Sequence, residues 1–189
     1  MARRVGILAV QGDVEAHART LRSLGATVER VLCEADLAGL DALVLPGGES
    51  TTISKGVDRL DLWDGLRSFA LSGRPVLGTC AGAILLAREV ENHPVGTLGV
   101  LDVVAIRNAY GTQVDSFAAR LDPGAREGLE GLQGVFIRAP RFRDPGPGVE
   151  ILAAVEGEPV LLRQGRVLAC AFHPELTVDQ RVHRLLLAG

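Results

Sequence analysis

Short apolar runs alternate with segments of helical spacing through the first half of the chain. The apolar runs cover residues 5–10, 27–32, 42–46 and 75–80. Helical segments are predicted over residues 13–25, 62–72 and 81–88, the first with Val14, Ala18 and Leu21 along one face. Strands that alternate with helices at this spacing predict a parallel sheet covered by helices on both faces.

The second half of the chain predicts successive strands joined by short turns, with some antiparallel pairing. These strands are expected over residues 98–107, 113–121, 134–140, 149–157, 159–164 and 166–174. A last helix is predicted over 178–187, and the Pro/Gly-rich stretch 143–148 indicates a surface loop and not a linker. We therefore expect residues 1–189 to form a single three-layer α/β domain, with a mixed, mostly parallel sheet between helices, as in flavodoxin-like folds.

Composition excludes several classes of function. The chain has 189 residues and a net charge of −3, which provides no basic surface for nucleic acid or an anionic membrane. Its three cysteines, Cys33, Cys80 and Cys170, lie far apart and show no CxxC spacing, so neither a disulfide framework nor a zinc site is expected. The apolar stretch near the N-terminus is too short for a signal peptide or a membrane span. A cytoplasmic location is the simplest expectation.

Cys80 stands where a predicted strand turns into a predicted helix, in the sequence Gly78-Thr79-Cys80-Ala81-Gly82. Glycines on both sides of a cysteine remove the Cβ atoms that would crowd a sharp turn. The helix N-terminus favours a thiolate, and the N–H of Ala81 would face an oxyanion formed by attack on a carbonyl. The alternative is a small buried hydrophobe, the usual role of a free cysteine.

A cysteine nucleophile needs a base, and the chain has four histidines. His173 follows a predicted strand and lies two residues before Glu175, whose carboxylate could orient the imidazole. A strand-like spacing would place both side chains on one side of the chain. His17 and His183 lie on predicted amphipathic helices, where they are most simply solvated or satisfied, and His93 lies in a predicted loop.

The stretch Leu45-Pro46-Gly47-Gly48-Glu49-Ser50 follows the third predicted strand. It lacks the spacing of a phosphate-binding loop, so a second oxyanion donor from Gly47 or Gly48 is the better interpretation. Glu49 and Ser50 would then lie near the substrate. Together these motifs predict acyl transfer through a thioester on Cys80, with His173 as the proton carrier and with no metal or organic cofactor.

These motifs resemble those of class I, triad-type glutamine amidotransferases. The resemblance is most specific to the family of glutaminase subunits of pyridoxal 5'-phosphate synthase. It extends over residues 9–177 and is carried by the blocks AVQGDVEAH, LPGGESTT, GTCAGAILLA, RNAYGTQVDSF, GVFIRAP and FHPELT. The segment RFRDPGPG, residues 141–148, does not match the family's pattern.

The resemblance implies hydrolysis of L-glutamine to glutamate and ammonia. It implies a hetero-oligomer in which the ammonia passes to a synthase subunit, a (β/α)8 barrel that builds pyridoxal 5'-phosphate. It also implies the site residues: the triad Cys80, His173 and Glu175; the oxyanion residues Gly47, Gly48 and Ala81; and the glutamine-binding residues Gly48, Glu49, Ser50, Arg107, Ile137 and Arg138. The turn at Gln11 and Gly12 matches a strand end near the synthase interface.

Two other functions fit the same motifs. Another α/β cysteine hydrolase, such as a peptidase or a deglycase, would share the nucleophile turn but usually carries a different base arrangement. A non-catalytic binding subunit of the same fold would have no need for an intact set of Cys80, His173 and Glu175.

Overall fold

The computed structural model of the protein describes residues 2–92, 95–107, 116–124 and 128–189. Its strands are β1 (Arg4–Leu8), β2 (Thr27–Val31), β3 (Ala42–Leu45), β4 (Val76–Thr79), β5 (Ala87–Glu91), β6 (Leu101–Ile106), β7 (Phe117–Arg120), β8 (Asp122–Pro123), β9 (Gln133–Phe136), β10 (Arg141–Arg143), β11 (Glu150–Val155), β12 (Glu158–Gln164) and β13 (Val167–Cys170). Its helices are α1 (Val14–Ser23), α2 (Ser50–Arg59), α3 (Trp63–Leu71), α4 (Ala81–Leu86) and α5 (Arg181–Ala188). Two short 3₁₀ turns cover Glu34–Leu37 and Pro174–Leu176.

The main sheet is mixed, with strand order β2-β1-β3-β4-β13-β12-β11-β8. The first five of these strands run parallel, and β12, β11 and β8 add antiparallel pairs at one side. All residues of β3, β4 and β13 are buried, as expected for central strands covered on both faces. This confirms the predicted mixed, mostly parallel sheet with antiparallel pairing in the second half.

Helices cover both faces of this sheet. Strand β2 lies on one side of β1, whereas β3 and β4 follow one another on the other side. Because crossovers between parallel strands are right-handed, α1 lies on one face of the sheet, and α2 and α3 lie on the opposite face. Helix α4 packs on β3, β4 and α2, while α1 contacts α5 through their histidines. The strand order reverses between β1 and β3, so the carboxyl ends of β1, β3, β4 and β13 border one crevice.

One helix of the structure was not predicted, and two helix predictions have other bounds. Helix α2 was not predicted, because its buried face consists largely of small residues such as Ser50, Ser54 and Gly56 and not of a large apolar stripe. The helix expected over 81–88 ends at Leu86, because Ala87 begins β5, which pairs with β6. The last helix begins at Arg181 and not at residue 178, after an Asp179 side chain that accepts from the Arg181 N–H at 3.0 Å.

Some predictions fall on residues 93–94, 108–115 and 125–127, which lie outside the described residues. They include the loop histidine His93, most of the RNAYGTQVDSF block after Arg107, and the start of the strand expected over 113–121. Within the described ranges, no helix has both the length and the apolar character needed to cross a membrane.

Candidate active site

Cys80 occupies a strained turn between β4 and α4. Its φ of +47° and ψ of −105° lie outside the regions that a residue with a side chain ordinarily adopts. The turn closes tightly, because a Cβ atom at Gly82 would overlap the carbonyl oxygen of Leu45, and one at Gly78 would lie 2.6 Å from Leu86 Cδ1. The backbone of Cys80 is fixed on β13 by its N–H bond to the Cys170 oxygen at 2.8 Å. This is the strand-to-helix turn predicted from the flanking glycines.

His173 and Glu175 lie beside this turn. The Nδ1 atom of His173 is 2.7 Å from Glu175 Oε1, and both residues are buried. Their contact does not come from the predicted strand-like spacing, because Pro174–Leu176 forms a 3₁₀ turn that folds the carboxylate back under the imidazole. The imidazole also interacts with the Cys80 thiol. The three groups predicted from the sequence therefore lie together.

The surroundings of His173 favour the imidazolium. Desolvation acts against the charge, but hydrogen bonds and Coulomb attraction to Cys80 and Glu175 outweigh it and raise the pKa of His173 to about 10. Because the pKa of His173 in the folded protein is above the usual value of 6.5, its protonation stabilises the fold. This stabilisation is complete below pH 6.5 and is lost as the pH rises through about 10. At neutral pH the imidazolium can both stabilise an adjacent thiolate and donate a proton.

The loop after β3 forms the wall opposite the nucleophile. A Cβ atom at Gly47 would lie 2.5 Å from His173 Cε1 and 3.3 Å from Cys80 Cβ, so only glycine allows this approach. Gly48, with φ of +156°, lies against Gln11, whose Oε1 accepts from the Glu49 N–H at 2.9 Å. The predicted loop residues thus border both the nucleophile and the end of β1.

Glu49 and Arg107 form a polar pair at the cleft. Glu49 caps α2, and its carboxylate accepts from the N–H groups of Thr51 and Thr52 at 3.0 and 2.7 Å. Desolvation opposes its ionisation, but the hydrogen bonds from Thr52 and Thr51 prevail and lower the pKa of Glu49 to about 2. Arg107 Nη2 donates to Thr51 Oγ1 at 3.0 Å and lies 3.4 Å from Glu49 Oε1. The cleft therefore holds fixed charges of both signs.

Ile137 and Arg138 lie on the side of the cleft formed after β9. The Ile137 oxygen is 3.8 Å from Cys80 Sγ, and Arg138 has a φ of +46°, a second strained backbone beside the thiol. The cleft has a volume of about 210 Å³ and is lined by Gln11, Asp13, Gly48, Glu49, Ser50, Cys80, Ala81, Ile84, Arg107, Ile137, Arg138 and His173. Every predicted glutamine-binding residue thus borders the same cleft as the thiol.

Sequence reasoning missed several residues around this cleft. Asp13 precedes α1, and its Oδ2 lies 3.8 Å from His173 Nδ1. His17 is fully buried, with Nε2 3.3 Å from Glu175 Oε2. The sequence predicts His17 as a residue of an amphipathic helix that is most simply solvated or hydrogen-bonded there. The available signal was its position between Val14, Ala18 and Leu21 on the inward face of α1.

Asp13, His173 and Glu175 also offer ligand atoms within 4.8 Å of one another, a spacing that suits a metal ion. His173 Nδ1 is the nitrogen that faces both carboxylates, at 2.7 Å from Glu175 Oε1 and 3.8 Å from Asp13 Oδ2. Metal binding and the imidazole–carboxylate contact would therefore compete for one nitrogen atom.

A cysteine on a strand-to-helix turn, next to an imidazole at the carboxyl edge of a mostly parallel sheet, defines the class of glutamine amidotransferase-like α/β proteins. A solved structure described as a glutamine amidotransferase has a TM-score of 0.90 and 49% identity, with 97% of each chain covered. The structure of PurLQS from Thermotoga maritima has a TM-score of 0.68 and 15% identity over 100% of this chain and 99% of that one, which supports the fold alone. The predicted fold class is confirmed.

The chain belongs to the SNO glutamine amidotransferase family, which it matches over residues 7–188. It is 49% identical to the pyridoxal 5'-phosphate synthase subunit PdxT of Desulforudis audaxviator, with 97% of both chains covered. It is 51% identical to the subunit of the same name from Thermus thermophilus, with 97% of this chain and 95% of that one covered. The family resemblance inferred from the motifs is confirmed.

Proposed function

We propose that the protein is a glutaminase that hydrolyses L-glutamine to glutamate and ammonia through a thioester on Cys80. The ammonia serves a synthase subunit that makes pyridoxal 5'-phosphate, a form of vitamin B6, and we expect that subunit to be a (β/α)8 barrel. One observation carries the chemistry: a cysteine on a strained turn contacts an imidazole that a buried carboxylate holds at 2.7 Å, at the base of a cleft. The names of the relatives support the pathway.

The reaction begins with attack of the Cys80 sulfur on the side-chain carbonyl carbon of glutamine. The carbon–sulfur bond forms, the carbonyl oxygen becomes an oxyanion, and the imidazolium of His173 donates its proton to the departing nitrogen. Ammonia leaves with the electron pair of the carbon–nitrogen bond. Neutral His173 then takes a proton from water, whose oxygen attacks the thioester, and the thiolate leaves to give glutamate and the starting imidazolium pair.

The oxyanion lies between the nucleophile turn and the glycine loop. Ala81 is the first residue of α4, and its N–H has no acceptor within the helix, so it can donate to the oxyanion. The loop at Gly47 and Gly48 provides a second N–H donor from the opposite wall of the cleft. Only glycine fits at these two positions, because a side chain would overlap His173 or Gln11. Loss of one such donor typically lowers kcat by about 10²- to 10³-fold.

The charges of the cleft complement the amino-acid end of glutamine. Arg107 suits the α-carboxylate, because a guanidinium can bind two oxygens at once. Glu49 stays ionised, since the pKa of its carboxyl is about 2, and it suits the α-ammonium. Ser50, Ile137 and Arg138 line the same cleft and complete the walls of the substrate site.

The test is ammonia release from L-glutamine, measured with and without the synthase subunit from the same organism. Cys80→Ala should lower kcat by at least about 10³-fold, since it removes the nucleophile, while binding to the synthase subunit is kept. Cys33→Ala is the matched control, because Cys33 is exposed and lies outside the cleft, and it should retain full activity. Wild-type activity in Cys80→Ala, or cleavage of a peptide without ammonia release from glutamine, would contradict the proposal.

A further inference from the structure

Two histidines outside the reaction are completely buried in contact with each other, and one of them lies beside the carboxylate of Glu175. His17 on α1 and His183 on α5 both have 0% exposure. His17 Nδ1 lies 2.9 Å from His183 Nε2, and His17 Nε2 lies 3.3 Å from Glu175 Oε2. A line of buried polar side chains therefore runs from α5 through α1 to Glu175 and on to His173.

The carboxylate of Glu175 uses its two oxygens on different histidines. Oε1 contacts His173 Nδ1 at 2.7 Å. In the described part of the chain, Oε2 is buried and makes no well-aligned hydrogen bond, but His17 Nε2 lies 3.3 Å from it and can donate to it if it carries a proton. The same nitrogen lies 3.2 Å from Thr79 Oγ1, so the two oxygens share one nitrogen. A buried carboxylate oxygen without a donor is costly, which gives His17 a physical role.

Donation to Glu175 requires one protonation pattern of the two histidines. A carboxylate can only accept, so His17 must carry its proton on Nε2 to serve Glu175. His17 Nδ1 is then an acceptor and receives the Nε2–H of His183. The opposite pattern would leave Oε2 unsatisfied and would bury a His183 Nδ1–H, which has no partner among the described residues.

Electrostatics agree with this pattern. Desolvation, followed by repulsion from His183 and His173, lowers the pKa of His17 well below 6.5, and desolvation lowers the pKa of His183 to about 4. Both rings are therefore neutral at neutral pH. A neutral ring can donate to Glu175 without cancelling the negative charge that His173 requires.

We propose that His17 is a positioning residue of the active site, whose Nε2–H holds the free oxygen of Glu175 and so fixes the carboxylate against His173. The proposal rests on the proposed function for its consequence in catalysis, although the contact itself does not depend on the substrate. His183 acts one step further away, by donating to His17 Nδ1.

The experiment measures alkylation of Cys80 by iodoacetamide as a function of pH, in a Cys33→Ala background. Cys170 is fully buried, so Cys80 is then the thiol open to the reagent. His17→Leu removes the donor and should move the pH midpoint of alkylation upward by about one unit. It should also lower kcat for ammonia release by about 10- to 100-fold with little change in KM. His17→Gln, whose amide nitrogen can reach the place of Nε2, should restore kcat to within about threefold and the midpoint to within about half a pH unit.

A second pair of variants keeps the test informative if His17→Leu does not fold. His17→Asn places its amide near the position of Nδ1, too short to reach Glu175, whereas His17→Gln reaches it. Asn should then behave as predicted for Leu, and Gln should behave like the wild type. Thermal unfolding of both variants separates loss of structure from loss of the contact.

Equal alkylation profiles for wild type, Leu and Gln, or for Asn and Gln, would overturn the role of His17 even if glutaminase activity is present. Conversely, a wild-type protein that releases no ammonia from glutamine with the synthase subunit would overturn the proposed function. The alkylation comparison uses no substrate, so it would still decide whether His17 positions Glu175.

Discussion

His173 and His17 lie on opposite sides of the Glu175 carboxylate, yet they hold opposite charge states. Burial favours the neutral ring in both cases. His173 has the thiol of Cys80 on its other side and a pKa of about 10, whereas His17 has another histidine on its other side and a pKa well below 6.5. Desolvation prevails at His17, whereas the hydrogen bonds and charges of Cys80 and Glu175 overcome it at His173. One carboxylate can therefore hold an imidazolium toward the cleft and a neutral ring toward the core.

The largest expected effect comes from removing the shared carboxylate. Glu175→Gln takes away the negative charge beside His173, so the pKa of His173 should fall from about 10 and the imidazolium–thiolate pair should be lost at neutral pH. We expect kcat/KM for glutamine hydrolysis to decrease by about 10³- to 10⁴-fold, as for loss of the orienting carboxylate in a catalytic triad. The measurement is ammonia release with the synthase subunit present.

Glu150→Gln is the matched control for that substitution. Glu150 lies on β11 and pairs with Arg163 at 2.6 Å on the surface, away from the cleft. Surface pairs of this kind contribute little, so its activity should stay within about twofold of the wild type. Comparable losses in both variants, or none in either, would mean that the carboxylate of Glu175 does not set the charge of His173.

The buried, neutral ring of His183 should make the free energy of unfolding depend on pH. The pKa of His183 is about 4 in the folded protein and near 6.5 when unfolded, so the unfolded state binds the proton first as the pH falls. The stabilisation is complete above pH 6.5 and is lost between pH 6.5 and 4. From pH 7 to pH 5, His183 should cost about 2 kcal/mol of the free energy of unfolding.

Urea unfolding at pH 7, 6 and 5 measures this cost. His183→Leu should be less sensitive to acid than the wild type by about that amount, whatever its stability at pH 7. For each protein, the quantity compared is the change in the free energy of unfolding between pH 7 and pH 5. The altered packing of the variant affects both pH values equally and therefore cancels. Parallel curves for the two proteins would show that His183 does not titrate in the unfolding reaction.

The sequence predicted the part of the site that contains Cys80 and the charged His173. It did not predict the part that contains the neutral His17 and His183. Cys80 is flanked by glycines whose absence of Cβ is required by contacts with Leu45 and Leu86, so a local motif encodes the turn. His173 and Glu175 are two residues apart, so their contact is also local. Their side chains are 2.7 Å apart, although a 3₁₀ turn and not a strand brings them together.

His17 and His183 are 166 residues apart, and nothing local marks them as partners. Their contact depends on how α1 and α5 pack on one face of the sheet. Helix α2 was missed for a related reason: Gly56 lies so close to Val10 that any side chain would overlap it. Small residues therefore interrupt the apolar stripe that Ile53 and Val57 would otherwise extend. Tertiary packing, which the periodicity of apolar residues does not record, explains both omissions.

The smallest effect belongs to Thr79, and it discriminates between the two protonation patterns of His17. Thr79 Oγ1 is 3.2 Å from His17 Nε2, nearly the same distance as Glu175 Oε2. If Nε2 carries the proton, Thr79 is a second acceptor beside the charged Glu175. Thr79→Val should then change kcat by no more than about twofold and the alkylation midpoint by no more than about 0.3 pH unit. If Nε2 instead accepts from the Thr79 hydroxyl, the valine leaves a buried nitrogen without a partner and should resemble His17→Leu. The equal size of threonine and valine limits the change to the hydroxyl, so a tenfold loss of activity in a stably folded Thr79→Val would reverse the assignment and leave Glu175 without its second donor.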